Sequence, residues 1–486
     1  METIEIDAYY LPPDFRNQVK SFRIEVYQGE RSMVRLKIPS VSRSLIDTLT
    51  DHLKASRRFY LARLPIEHII DVLDEASRKW LDKSYPLREL ALKAIPTITG
   101  FSREAVEASI DVEMESSLRE DVWRALCSEI KNPLYLDDFQ YSSELNGYSR
   151  AFGPELIVSI FSGNIPALPH LLFMRSLLVK AACLGKVAGG EPTFAPLYLK
   201  TIEEIDPEIA KSLAVLYWKG GEDDVEEAVF NQSDAVILFG GVEACQSLLP
   251  KIPRKVRTLI HGHKLGFGMI GRRRLTHQGL EELASAVAED CSMFDQHACL
   301  APHVYYLEKG GEVTPKEFCQ ALAKAMDALN IRMPRGKISP GEASVINQLR
   351  AQYEFRELGG EEIQLWASPR GTDWTVVYEK DPGTFLPSPL NRFIRLIGVE
   401  DIFQILPNLK SIGSYLQNAA VAIGDEREKE FIGRLGELGV ARITSPGKMS
   451  IPSMMWHHDG ISPLTHLLRW CDIEKKERIG GMGEKD

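Results

Sequence analysis

The chain carries seven cysteines, at 127, 183, 245, 291, 299, 319 and 471. None forms a Cys-x-x-Cys pair, so the chemistry on offer is that of a lone thiolate nucleophile, not a redox couple. Cys299 is the candidate. In Phe294-Asp-Gln-His-Ala-Cys-Leu-Ala-Pro302 it falls just past an amphipathic helical pattern and before a strand pattern. Such a junction can leave a thiolate partly open and close to backbone dipoles. In a reducing compartment the remaining cysteines read as small buried hydrophobes. A second candidate is Asn164, in Ser162-Gly-Asn-Ile-Pro166 directly after the apolar run Leu156–Phe161. Its amide can donate to a developing oxyanion, and the same residues would also satisfy ordinary turn geometry. Gly240-Gly241 follows Ala235–Phe239 and could let a pyrophosphate approach the start of a helix near Val242.

Other patterns are weaker. Gly266-Phe-Gly-Met-Ile-Gly271 has dinucleotide-fingerprint spacing, but it runs into Arg272-Arg-Arg274 instead of opening a helix. Roughly 20 positions on the chain reads as helix and offers no acidic residue in a second strand, so a glycine-rich bend is the better reading. His457-His458-Asp459 could be metal ligands, but adjacent histidines in an extended segment point opposite ways, and a polar turn is preferred. His261 and His263 could share a strand face with no third ligand evident, and Cys291, His297, Cys299 and His303 match no zinc-finger spacing. No metal is expected. The acidic run Glu222–Glu227 suits a helix start, and Arg272–Arg274 a solvated loop.

The elements that must position these residues alternate. Phe22–Val26 and Val34–Ile38 flank Gln28-Gly29-Glu30 as a hairpin, and helical spacing follows at Leu45, Leu49, Leu53 and at Ile66, Ile69, Ile70, Leu73. From residue 155, short apolar runs end in Gly or Asn turns and are followed by helical patterns: Leu156–Phe161, Cys183–Ala188, Leu213–Trp218 and Ala235–Phe239. This is the texture of a mostly parallel α/β sheet, which binds ligands beyond the carboxyl ends of its strands. A second α/β region follows, with a helix over Leu275–Asp290, a strand at Val304–Leu307, a helix over Glu317–Leu329, and strands at Trp374–Tyr378 and Phe393–Leu396. The end, from about 445, reads as Ser/Pro/Gly/Met-rich and then helical through Leu464, Leu467 and Leu468, before a polar tail at about 475–486. The expected division is 1–265, 266–445 and 446–486, the last packing back on the first domain or on another subunit.

Composition narrows the class. The 486 residues include 68 acidic and 58 basic side chains, a formal charge of −10, which disfavours a dedicated nucleic-acid binder. No apolar run is long enough to cross a bilayer, and the acidic N-terminus does not resemble a signal peptide, so a cytoplasmic protein without stable membrane insertion is expected.

Taken in order, these pieces resemble the aldehyde dehydrogenase superfamily. Ile157–Pro166 looks like its strand ending in Pro-Trp-Asn-Phe-Pro, with Ser162 bordering the cofactor. Lys186 falls where its Lys-Pro-Ser lysine does, Phe239-Gly-Gly-Val-Glu-Ala244 is similar to Phe-Thr-Gly-Ser-Thr-Glu, and Gln296-His-Ala-Cys299 stands for Gly-Gln-x-Cys. A closer resemblance, from about residue 90 to Trp470, is to the long-chain acyl-CoA reductase branch, the LuxC family of bacterial bioluminescence. It is carried by Ile95–Ser102, Asp295–Cys299, Pro389-Leu-Asn-Arg392 and Met449–Gly460.

The resemblance implies two parallel, Rossmann-like α/β domains with a small oligomerisation arm. It also implies NAD(P)H-dependent reduction of a long-chain acyl-CoA, or of an acyl group from a loaded partner synthetase, to fatty aldehyde through an acyl-cysteine thioester. Cys299 would be the nucleophile and Asn164 the oxyanion donor, with Ser162, Lys186, Gly240 and Gly241 at the cofactor, NADPH or alternatively NADH. A homo-oligomer is implied as well. Two departures stand out. Ile260 in Ile260-His-Gly-His-Lys264 replaces the glutamate that activates hydrolytic water in aldehyde-oxidising members, and an apolar side chain cannot act as a base. Ser388-Pro-Leu-Asn-Arg392 replaces the Glu-x-Phe-Gly-Pro that grips the nicotinamide ribose. The alternatives are a CoA-acylating aldehyde dehydrogenase running in reverse and an acyl-carrier subunit of a fatty acid reductase complex.

Overall fold

The computed structural model describes residues 2–30, 32–380 and 383–474. The polar tail at 475–486 lies outside them. The chain divides into two units. One gathers Met1–Thr99, Ser109–Gly262 and Ser453–Asp486; the other gathers Gly100–Ala108 and His263–Pro452.

In the first unit the apolar runs become a five-stranded parallel sheet. Leu156–Ile160 is central, Ala235–Phe239 and then Arg257–His261 lie to one side, and Ala182–Lys186 and then Leu213–Leu216 to the other. The first four residues of each of the three inner strands are buried, as expected of parallel strands covered on both faces. The helix Arg43–Phe59, capped by the Ser42 hydroxyl accepting from the Leu45 N–H, lays Ile46, Leu49 and Leu53 on one face beside Val229 and Phe230. The expected hairpin forms between Phe22–Gln28 and Ser32–Pro39. Its second strand also pairs in parallel with Glu2–Asp7, a strand that the sequence pattern did not announce.

The C-terminal stretch corrects the helical expectation. Thr465–Leu467 is a single 3-10 turn, and Arg469–Ile473 is a strand antiparallel to Gly147–Phe152. The apolar positions Leu464, Leu467 and Leu468 do pack inward. Their spacing is shared by a short turn, and the chain past Leu468 has a ready-made strand edge to join.

The second unit is built on a seven-stranded sheet in the order Ile363–Ala367, Thr375–Lys380, Phe393–Val399, Pro302–Glu308, Leu265–Ile270, Leu416–Ala422, Arg442–Thr444. It is parallel except at its first strand. Alternation sorts the side chains: Ile270, Tyr305, Leu307 and Leu396 face the helices Leu280–Ser292 and Pro315–Arg332, while Met269, Val304, Tyr306 and Ile397 face the layer holding Ile402, Leu409 and Phe431.

The fingerprint-like Gly266–Gly271 proves to be mostly strand, Leu265–Ile270, fully buried. Its glycines answer to packing. A Cβ on Gly268 would lie 2.0 Å from the Tyr305 ring, and one on Gly266 2.5 Å from the Ala301 carbonyl oxygen. Of the expected solvated loop Arg272–Arg274, a single 3-10 turn, Arg273 and Arg274 are exposed, and only Arg272 is half-exposed. It donates to the buried Glu308 at 2.7 Å, as Arg427 does at 2.6 Å. Burial alone would raise the Glu308 carboxyl, but these donors bring it down to about 2.

Candidate active site

The candidate residues divide between the units. Ser162, Asn164, Lys186, Gly240 and Gly241 belong to the first and Cys299 to the second. Within the first unit the sheet order brings the cofactor candidates together, since the carboxyl ends of three neighbouring strands and the turns after them carry them all. Lys186 closes its strand, and its carbonyl accepts from the Phe161 N–H at 3.0 Å. Its ammonium lies 5.5 Å from the Trp218 ring centroid and 6.0 Å from that of Tyr217. Burial holds its pKa below the ordinary lysine value against the pull of Glu226 and Glu222. Gly240 donates its N–H to the His261 carbonyl at 3.1 Å. Gly241 precedes the helix Val242–Leu248 with open space where a Cβ would point, so an anion can approach the backbone there. A cation on an aromatic floor and an open glycine turn, both at strand carboxyl ends, fit the ribose and phosphates of a dinucleotide.

Beside this turn the structure assembles something the sequence did not suggest. Phe239, His261, His458 and Trp456 pack in a row with successive ring centroids 4.3, 3.9 and 4.5 Å apart, the first two pairs tilted and the last stacked. His261 Nδ1 lies 2.7 Å from Asp459 Oδ2, and its Nε2 lies 3.4 Å from the Arg175 guanidinium. The expected polar turn is present, closed by Gly460 N–H to His457 O at 2.9 Å and Ile461 N–H to His458 O at 3.1 Å, but it carries the buried His458 and the half-buried Asp459 into a cluster, while His457 is exposed as the alternation argument requires. The ligand atoms of His261, His458 and Asp459 lie within 4.8 Å of one another, a set that could hold a metal ion. The arrangement itself is that of a hydrogen-bonded relay, in which His261 donates from Nδ1 to the carboxylate and turns Nε2 toward a guanidinium N–H.

The nucleophile segment of the second unit has unusual backbone. After the helix Leu280–Ser292, the residues Phe294, Asp295 and Gln296 all take left-handed φ, at 53°, 48° and 70°. Two tight turns follow, with His297 N–H donating to Phe294 O at 2.9 Å and Ala301 N–H to Ala298 O at 3.0 Å, and Cys299 stands in the second. Between Phe294 and Leu300 only His297 and Cys299 are half-exposed; the others are buried. The remaining cysteines of this unit, Cys291 and Cys319, are buried with thiol pKa values pushed well up by desolvation, which leaves them inert.

A second left-handed triplet, Leu390, Asn391 and Arg392 (φ 68°, 57° and 63°), locks onto the first. Arg392 Nε donates to Asp295 Oδ1 at 2.7 Å, Asn391 N–H to Asp295 O at 3.1 Å, and Gln296 Nε2 to Phe393 O at 3.1 Å. Asp295 Oδ2 accepts from the Gly336 N–H at 2.9 Å. Both segments stood out in the sequence, but their mutual contact was not readable from a separation of nearly a hundred residues.

A mostly parallel two-unit α/β chain with these turns has the aldehyde dehydrogenase fold. Aldehyde dehydrogenase 21 from Physcomitrella patens superposes with a TM-score of 0.70 at 11% identity, covering 97% of this chain and 98% of its own. A benzaldehyde dehydrogenase from Corynebacterium glutamicum superposes at 0.67 and 14% identity, covering 96% of each. Residues 61–470 match the acyl-CoA reductase (LuxC) family, and the chain belongs to it. It is thus an oxidoreductase whose family acts on fatty acyl groups. Among its relatives, the long-chain acyl-protein thioester reductase of Vibrio harveyi is 23% identical over 96% of this chain and 93% of that protein. The Aliivibrio fischeri reductase of the same name is 25% identical over 85% and 83%. No helix among the described residues is long and apolar enough to cross a membrane.

Proposed function

We propose that the chain reduces long-chain acyl thioesters to fatty aldehydes with NADPH, through an acyl-Cys299 intermediate. The observation that carries this reading is the turn at Cys299, where a half-exposed thiol follows three residues held in left-handed backbone. Cys299 attacks the acyl carbonyl and the carrier thiol leaves, so one difficult step becomes two easier ones. By the resemblance, the Asn164 amide and the Cys299 backbone N–H hold the tetrahedral oxyanion. Lys186 and Gly240-Gly241 hold the ribose and phosphates of the cofactor, with Ser162 at its border. The bound nicotinamide supplies the hydride that reduces the acyl carbon.

Ile260 supports the direction of the chemistry. At the glutamate position it is packed with the first unit's core and offers no base for water, so the acyl-enzyme survives until it is reduced. The acyl donor is a long-chain acyl-CoA or an acylated partner protein, the latter favoured by the names of the Vibrio and Aliivibrio relatives.

Intact mass after incubation with myristoyl-CoA tests the reading. Wild type should gain one myristoyl group and Cys299→Ala none, and NADPH should discharge the adduct with release of aldehyde. An adduct that NADPH leaves in place would turn the assignment to an acyl-carrier subunit.

A further inference from the structure

The two left-handed triplets hold six of the eleven non-glycine residues with positive φ among the described residues. Each such residue costs on the order of 1–3 kcal/mol and persists only where the surroundings dictate it. Here the surroundings are the triplets themselves, bound by the buried Asp295–Arg392 pair and by backbone donors. In the segment so held, His297 and Cys299 alone stay half-exposed while their neighbours from Phe294 to Leu300 are buried.

His297 is not loosely placed. Its Nε2 lies 3.0 Å from Asn391 Oδ1, and the Asn391 amide nitrogen lies 3.5 Å from Glu342 Oε1. The amide oxygen can only accept, so Nε2 carries the proton and Nδ1 is the basic nitrogen of the neutral ring. Phe101 sets its ring edge-on to the imidazole, 6.4 Å between centroids. Glu342 caps its own helix through Ser339, whose hydroxyl and N–H hold the carboxyl below its ordinary range, with Asn391 and His297 adding to the effect. It stays ionised where a positive imidazole would gain from it. Charged groups close to His297 along the chain and through Asn391 thus include Glu342 and the buried Asp295–Arg392 pair.

We propose that His297, aimed by Asn391 and held by the Asp295–Arg392 latch, is the proton acceptor for the Cys299 thiol. The inference rests on Cys299 being the nucleophile of the proposed reaction. The thiol proton passes to His297 Nδ1 as the sulfur–acyl bond forms. When the acyl–carrier bond breaks, the same proton goes to the departing carrier thiolate. Reduction needs none from it: hydride addition leaves the thiohemiacetal as its alkoxide, whose collapse expels Cys299 as thiolate, and the thiolate then takes from water the one proton that the overall reduction consumes. Asn391, Asp295 and Arg392 are positioning residues. His303, the other histidine nearby, is unsuited. It is buried, its Nδ1 accepts the Ser388 N–H at 3.2 Å, and burial pushes it down to about 4.

The test is the pH dependence of Cys299 alkylation by iodoacetamide between pH 5 and 10, read by intact mass with Cys299→Ala as background. Wild type should show an inflection at least one unit below the ordinary thiol value of about 8.5. His297→Gln should return it to that value and slow alkylation at pH 7 by about tenfold or more, and Asn391→Ala should lie between. Superimposable wild-type and His297→Gln profiles overturn the proposal, as does a wild-type inflection at the ordinary value. A single-turnover split guards against a merely structural effect. His297→Gln should slow acylation by myristoyl-CoA while a preformed acyl-enzyme is still reduced at the wild-type rate, and equal slowing of both steps counts against the proposal. A His297-dependent thiol that takes no acyl group would sink the substrate reading and leave this one standing. Acylation with superimposable alkylation profiles would do the reverse.

Discussion

Two ionisable groups of the first unit, the half-buried Glu113 and the buried His170, pull its stability in opposite directions with pH. Glu113 Oε2 lies 3.7 Å from His170 Nδ1, and His170 Nε2 lies 2.7 Å from the Ser117 hydroxyl. Burial raises the Glu113 carboxyl from 4.5 to about 7, with Arg175 opposing, so the folded chain holds its proton more tightly than the unfolded one. Its stabilising contribution is complete below about pH 4.5 and is lost as pH rises through about 7. Burial lowers His170 from 6.5 to about 4, so its contribution is present above about 6.5 and is lost as pH falls through about 4. Glu113→Gln removes the first effect alone. The variant should gain on wild type steadily from pH 4.5 to 7, by up to roughly 3 kcal/mol at about 1.4 kcal/mol per unit, measured by urea unfolding across a pH series. A stability difference that stays constant with pH would show that Glu113 titrates normally. Neither residue stood out in the sequence, because a lone His or Glu on a helix carries no sign of how deeply its neighbours bury it.

At the level of elements, the strand Leu265–Ile270 shows how one pattern admits two causes. Glycines at that spacing can cradle a pyrophosphate or make room for a neighbouring strand, and here the Tyr305 ring occupies the space over Gly268. Tyr305 in turn donates to Asp290 at 2.7 Å, and burial raises that carboxyl to about 6 in spite of this bond. Gly268→Ala should therefore cost about 2–3 kcal/mol by overpacking, seen in the urea midpoint, with NADPH affinity of the folded protein unchanged. A stable variant with weakened cofactor binding would restore the fingerprint reading. Strands such as Leu156–Ile160 and Ala235–Phe239 were legible because short apolar runs ending in glycine turns have few other uses. So were the turn at Asn164 and the helix-to-strand junction at Cys299. The triplets around Asp295 and Asn391 were not, since left-handed backbone at non-glycine residues follows from contacts between distant segments, which no local pattern encodes. The end of the chain misled for a related reason: helical spacing over five residues is too short to exclude a turn and a strand.

On the scale of the whole molecule, the division into units runs against chain order, because 453–474 groups with residues roughly 190 and more positions earlier. Four ties hold the described part of this segment to the first unit. Asp459 accepts from His261 at 2.7 Å, and the Glu129 carboxylate accepts the N–H groups of Leu464 and Thr465 at 2.9 Å each. Arg257 donates to the Leu467 carbonyl at 2.7 Å, and Arg469–Ile473 completes a three-stranded sheet along Gly147–Phe152. Charge adds to these ties. Arg175 is fully buried, and desolvation lowers it to about 10 while Glu129, Asp459 and Glu113 act to keep it charged. Removing the segment takes away one of those three carboxylates and uncovers a strand edge, and a buried charge that loses a partner costs several kcal/mol. A chain ending at Pro452 should therefore exchange amide hydrogens much faster in 148–152 and 257–261, while 265–270 and 393–399 in the other unit keep their protection. Asp459→Asn should do the same at 257–261 with a smaller effect at 148–152, since the strand pairing survives. Equal acceleration in both units would mean that the segment stabilises the molecule generally, and no acceleration at 148–152 would mean that the C-terminal strand is dispensable to the sheet it completes.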